Sequence, residues 1–235
     1  MKSKQIQRLF LYLLCLTTLK ACIEQSPSFH FSENPVRLSE WNLFNLNTAR
    51  FEPTSASLVF APNNPLFSDY AHKLRTMWIP NSETAHMKGE DLIYPVGTIL
   101  SKTFYYPTNS RGSFVREEDQ NLSSLNLTKN KLVETRLLVK REKGWEALPY
   151  VWNDEQTEAF LRIAGASRHV DLSKGEQNTK FTYFVPNQNQ CSACHVTQHP
   201  DGEMHPLGAI ASQLSAKVGS AIQNYQMKEM VSRGW

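Results

Sequence analysis

The stretch Cys191-Ser192-Ala193-Cys194-His195 constrains this chain more than any other. Residues three apart on a helix share a side, so the two thiols lie close together, and an imidazole follows at once. C-x-x-C-H is the pattern by which haem c is attached through two thioether bonds, and a ligating histidine is a standard holder of haem iron. Other readings of the same residues compete. A structural zinc site wants four nitrogen or sulfur ligands, and His199 and His205 are the neighbours that would complete one. A thioredoxin-type dithiol also follows a strand, here Lys180 to Val185, but its usual flanking residues are missing. Chance occurrence is the remaining reading.

If a haem is attached here, Cys191 and Cys194 hold it covalently and His195 is the first axial ligand. The imidazole then needs an acceptor for its Nδ1–H, and Pro206-Leu207-Gly208 is a candidate source of a backbone carbonyl, with Pro206 as its first residue. The same three residues also read as a surface turn that starts the next helix. For the second axial position the tail offers His199, Met204, His205, Met227 and Met230. His199 and Met204 follow the motif too closely to wrap to the far face. Met227 and Met230 come after a helix, and the extra turn gives Met230 the longer reach, so Met230 is the expected ligand. Each methionine taken alone also reads as core filling. Ligands from upstream (His72, Met77, His86, Met87, His169) remain open.

The other end of the chain reads as a targeting segment. Lys2, Lys4 and Arg8 precede an apolar run from Leu9 to Leu19, too short to span a membrane and suited to a secretory signal. It ends in Leu19-Lys20-Ala21-Cys22, a lipobox-like sequence with Cys22 as the acylated residue, although Lys20 fits such a box poorly. Removal of residues 1–21 takes four basic residues and no acidic one, so 21 basic residues face 22 acidic ones and the formal charge falls from +3 to −1. That balance gives nucleic acid no electrostatic handle. Cys15 leaves with the signal and Cys22 carries the lipid, which leaves the motif pair as the free thiols.

Residues 22–40 mix Ser, Pro, Asn and Gln and read as a tether. From 41 to 185 Pro and Gly punctuate short runs rich in β-branched and aromatic residues. Val133, Thr135, Leu137 and Val139 alternate with Leu132, Glu134, Arg136 and Leu138, as in a strand with at least one buried face. Asn153 as N-cap, followed by Asp154 and Glu155, predicts one helical interruption, and the polar stretch Asn109 to Asn130 predicts a loop. After His195 the period changes: Ile210, Leu214, Val218 and Ile222 recur every fourth residue and predict a helix. The expected architecture is α+β, a β-rich module over 41–185 followed by a short helical, cytochrome c-like haem segment over 186–235. Only forty residues follow His195, so either the β-module is expected to supply one wall of the haem site or the chain is expected to be a truncated or partner-dependent form.

Several stretches together resemble a family of bacterial extracytoplasmic haem c proteins that includes dihaem c-type cytochromes. They are Pro65 to Ala71 with Lys73 and Arg75, Pro95 to Thr98, Lys102-Thr103-Phe104, Glu134 to Leu137, Tyr150 to Asn153, Pro186-Asn187 with Gln190 to His195, and Pro206 to Gly208. The resemblance covers roughly residues 41–235. The family often carries a second C-x-x-C-H, whereas this chain has one. The resemblance implies electron transfer with a redox partner protein in the envelope. Two alternatives stand beside it: a peroxidase-like haem enzyme with an open distal site, and a non-haem envelope binding module.

Overall fold

The alternation over 132–139 arises in a strand that is covered on both faces. Leu137 and Val139 enter one core, and Leu138 enters another on the opposite side. The structure, a computed structural model, describes residues 25–89, 91–196, 202–215 and 221–235. The signal segment 1–21, Cys22 and His199 lie outside the described residues.

A 3-10 turn, Leu38–Trp41, leads into β1 (Phe44–Leu46), β2 (Arg50–Pro53), β3 (Leu58–Val59) and β4 (His72–Trp78). A small hairpin of β5 (His86–Lys88) and β6 (Asp91–Ile93) precedes β7 (Ile99–Pro107). Then come β8 (Phe114–Val115), β9 (Leu125–Asn126), the long hairpin of β10 (Asn130–Arg141) and β11 (Gly144–Trp152), and β12 (Ala159–Leu161). A last hairpin joins β13 (Ala166–Lys174) to β14 (Gln177–Val185). Helices α1 (Gln188–His195), α2 (Ala211–Leu214) and α3 (Ala221–Ser232) complete the described chain.

Six strands in the order β12-β11-β10-β7-β4-β3 make one antiparallel sheet, and this sheet is the wall on which everything else is laid. Its first face packs against the β1-β2-β9 sheet through Trp41, Phe51, Leu74, Leu137 and Tyr150. Trp41 donates its indole N–H to the Tyr150 hydroxyl, which donates in turn to the Pro35 carbonyl, so the ring edges buried here are satisfied. Its second face is shared. At one end Phe104, Tyr106 and Val133 meet Val170, Leu172 and Tyr183 of the β14-β13-β8 sheet. At the other end Met77, Leu100, Leu138 and Ala147 meet Cys191, Ala209, Leu214 and Met230.

The expected α+β fold with a helical, cytochrome c-like segment is therefore corrected. Strands dominate, and the three described helices run to only eight, four and twelve residues. Helices this short hold through tertiary contact rather than on their own. Their apolar residues are spent on the sheet, so no separate helical unit forms among the described residues. The helix predicted after Asn153 is also absent. Asn153 Oδ1 accepts from the Thr157 and Glu158 amides, as an N-cap would, but Gln156 adopts φ 61° and the chain returns to pair Ala159–Leu161 with β11. Within the stretch predicted as a loop, Phe114–Val115 and Leu125–Asn126 pair as strands because Leu125 is needed in the first core.

Candidate functional site

The motif helix α1 is positioned at its start by two devices. Asn187 Oδ1 accepts from the Gln190 amide at 2.8 Å while Gln190 Oε1 accepts from the Asn187 amide at 2.9 Å. This is a reciprocal capping box, which satisfies donors that a helix start otherwise leaves open. Gly165 does the second job. Its φ is +76°, and a Cβ there would meet the Val185 carbonyl at 2.5 Å, so only glycine lets the β12–β13 turn pass so close ahead of the helix. The Gln188 amide then donates to the Ile163 carbonyl at 3.1 Å.

The helix ends on His195, and the following chain returns to grip it. The His205 amide donates to the His195 carbonyl at 2.8 Å, and His195 Nδ1 lies 2.7 Å from the His205 carbonyl oxygen. A carbonyl can only accept, so Nδ1 carries the proton and the Nε2 lone pair is left for another partner. Burial, the largest effect, lowers the His195 pKa against the opposing His205 hydrogen bond, with Lys102 and Arg136 adding to the lowering, and so favours the neutral ring that can ligate. The acceptor is thus the carbonyl of the residue just before Pro206, where the sequence pointed to Pro206-Leu207-Gly208. Pro206 itself is buried, and its carbonyl takes the Ala209 amide at 2.7 Å.

The two thiols are free and differ in setting: Cys191 is buried and Cys194 exposed. Burial, the largest effect, pushes the Cys191 thiol upward in pKa. An attacking thiol needs the opposite shift, so Cys191 is not set up as a nucleophile. Among the described residues no three of His, Cys, Asp and Glu gather where they could hold a metal ion. A four-ligand zinc site would have to recruit His199, outside the described residues.

Cys191 shares its apolar cluster with Met230, which is 3% exposed, and Met204 and Met227 pack against the same cluster from partly buried positions. Tyr94 joins it too, donating its hydroxyl to the Ala209 carbonyl at 2.6 Å and meeting Trp145 edge to face. Paired thiols, an oriented neutral imidazole, three thioethers and an apolar sheet face meet the chemical needs of a covalently attached haem. Once attached, it would be held by Cys191 and Cys194. Among the described residues no helix is long and apolar enough to cross a membrane.

Two parts of the site escaped sequence reasoning. The capping box was legible, since Asn187-x-x-Gln190 is a helix-start signature. A row of cations on the same sheet face, Arg75, Lys102 and Arg136, was not, because only strand register brings them together. Comparison with family models, with curated proteins and with solved structures returns no match.

Proposed function

We propose that this chain is an extracytoplasmic haem c protein of the bacterial envelope that carries electrons between partner proteins. One haem is held by Cys191 and Cys194, with His195 and Met230 as axial ligands and a lipid on Cys22 as the membrane tether. The observation that carries the reading is the grip on His195. An imidazole used only for packing needs no carbonyl behind Nδ1, whereas a ligating histidine nearly always has such an acceptor, which fixes the tautomer and aims Nε2.

When bound, haem supplies a one-electron iron couple. Cys191 and Cys194 would hold it through thioether bonds, each S–H adding across one vinyl group so that nothing is released. The His205 carbonyl orients the His195 ring, and the apolar cluster that Cys191 shares with Leu100, Leu138 and Met230 would cover the hydrocarbon of the bound group. Low dielectric and a fixed ligand set favour electron transfer over ligand exchange.

Intact-mass analysis tests the reading. Full-length protein matured with a cytochrome c assembly system should gain the mass of one haem, retained through acid–acetone extraction, together with a diacylglycerol-type lipid on Cys22. A protein of unmodified mass at the motif, or one that releases its haem on extraction, overturns it.

A further inference from the structure

The second face of the central sheet is apolar at both ends and charged in the middle. Strand register sets Arg75 of β4 directly opposite Lys102 of β7, and Lys102 directly opposite Arg136 of β10. Alternation puts all three on the face that carries Met77, Leu100 and Leu138, hence on the face that Cys191 covers. Like charges directly opposed across strands destabilise a sheet, so this row calls for something to answer it.

Little among the described residues does. Arg136 is bound by Glu134 through two hydrogen bonds of 2.8 and 2.6 Å, but that carboxylate also accepts from the Tyr183 hydroxyl at 2.5 Å. Arg75 is only 7% exposed, and among the described residues its guanidinium makes no hydrogen bond and no ion pair. The Lys102 ammonium likewise has no such partner there; it lies 5.2 Å from the Phe104 ring, which Arg136 faces at 4.5 Å. Lys73 extends the row, its ammonium on the Leu66 carbonyl, and Asp119 accepts from the Lys73 amide at the sheet edge. Among the described residues four cations thus face two carboxylates, Glu134 and Asp119, an excess of two positive charges on this face. Lys102 and Arg136 act on both Cys191 and His195, which places these two members of the row within electrostatic reach of the attachment residues.

We propose that Arg75, Lys102 and Arg136 form a cationic floor that binds the two propionate carboxylates of the porphyrin attached at Cys191 and Cys194. This rests on the haem reading above. The floor takes the anionic edge of the plate while the apolar cluster takes its hydrocarbon, so one sheet face recognises both halves of the group. Two carboxylates supply the two missing negative charges. Guanidinium pairs with carboxylate in two-pronged fashion, and an unpaired buried arginine is the residue suited to it.

The test uses haem-loaded full-length protein. Intact mass of the wild type is read first; absence of covalent haem there defeats the haem reading itself, separately from the floor. In loaded protein, Arg75→Gln/Lys102→Gln should shift the propionate bending band in the resonance Raman spectrum. It should also raise the ferric-to-ferrous ratio at a fixed poise on the order of tenfold, since cations near iron favour the reduced state. Lys102→Arg, which keeps the charge, should preserve both readouts and guards against a merely structural effect. Loaded variants with an unchanged propionate band overturn the floor, even if the potential moves. So does wild-type protein whose row binds added inorganic phosphate while the propionate band stays fixed, because the site would then serve a free oxyanion.

Discussion

Glu134 shows what a single residue carries in this molecule. It is fully buried, grips Arg136 with both oxygens and receives the Tyr183 hydroxyl. Burial works against the Arg136 charge, but the hydrogen bond and the field of Glu134 outweigh it and raise the Arg136 pKa. Burial, followed by the nearby Glu134 charge, raises the Tyr183 pKa, so the phenol stays a donor. Glu134→Gln keeps the shape and removes the charge, leaving Arg136 to add a third unanswered cation to the row. Breaking a fully buried pair costs about 3–5 kcal/mol; Arg136 is partly exposed, and with that screening the expected loss is about 2 kcal/mol. Tyr183→Phe removes one donor to a buried carboxylate and should cost about 1.5–3 kcal/mol. Urea denaturation of the two variants reads both values, and a Glu134→Gln protein as stable as wild type contradicts this account of the pair.

Among elements, the C-terminal helices are where the sequence was read well in part and misread in part. Ile210, Leu214, Val218 and Ile222 have helical spacing; Ile210 stands just before α2, Leu214 closes α2 and is fully buried, Ile222 lies in α3, and Val218 lies outside the described residues. Spacing reports that a face is apolar; it does not report what the face packs on. Here the partner of Leu214 is a sheet face. Asn153 failed for a related reason, since the same side-chain acceptor serves an N-cap and a turn equally well, and pairing of Ala159–Leu161 with β11 decides between them. The motif helix was legible because its chemistry is local in sequence. The cationic row was not, because its members sit on three strands.

Met230 tests the one remote assignment that α3 carries. Met230→Leu conserves volume and should cost less than about 1.5 kcal/mol. In haem-loaded protein it should abolish the far-red charge-transfer band of ferric methionine ligation and open the iron to carbon monoxide, while Met227→Leu leaves both unchanged. A wild type that already binds carbon monoxide removes Met230 from the ligand set and turns the reading from carrier to haem enzyme.

At the scale of the whole molecule, the central sheet is enclosed on both faces, and the charge it encloses gives the fold a pH dependence that the bound group should alter. Burial lowers the Lys102 pKa to about 8, with Arg136 and Arg75 acting in the same direction. Burial also lowers the Lys73 and Arg75 pKa values. A lysine whose folded pKa lies below its unfolded value binds fewer protons folded than unfolded between the two. Stability therefore rises with pH across that window, from about 8 toward 10.5, and the penalty is present in full below it. For Lys102 the penalty is on the order of 2–3 kcal/mol after allowance for its partial exposure. The buried tyrosines work the other way. Burial raises the pKa values of Tyr94, Tyr105, Tyr106, Tyr150 and Tyr183, so above about pH 10 the unfolded chain sheds protons that the folded one keeps, and stability falls. Haem-free Cys191→Ala/Cys194→Ala protein should accordingly become more thermostable from pH 7 to a maximum near pH 9.5, then decline. Lys102→Met in that background should be more stable at pH 7 and show a smaller rise, the remainder belonging to Lys73. Haem-loaded wild type should show a smaller rise than the haem-free form, because carboxylates on the floor answer the charge that the sheet encloses. Equal pH profiles for the loaded and haem-free proteins, read as thermal midpoints, would mean that nothing bound at the motif reaches Lys102.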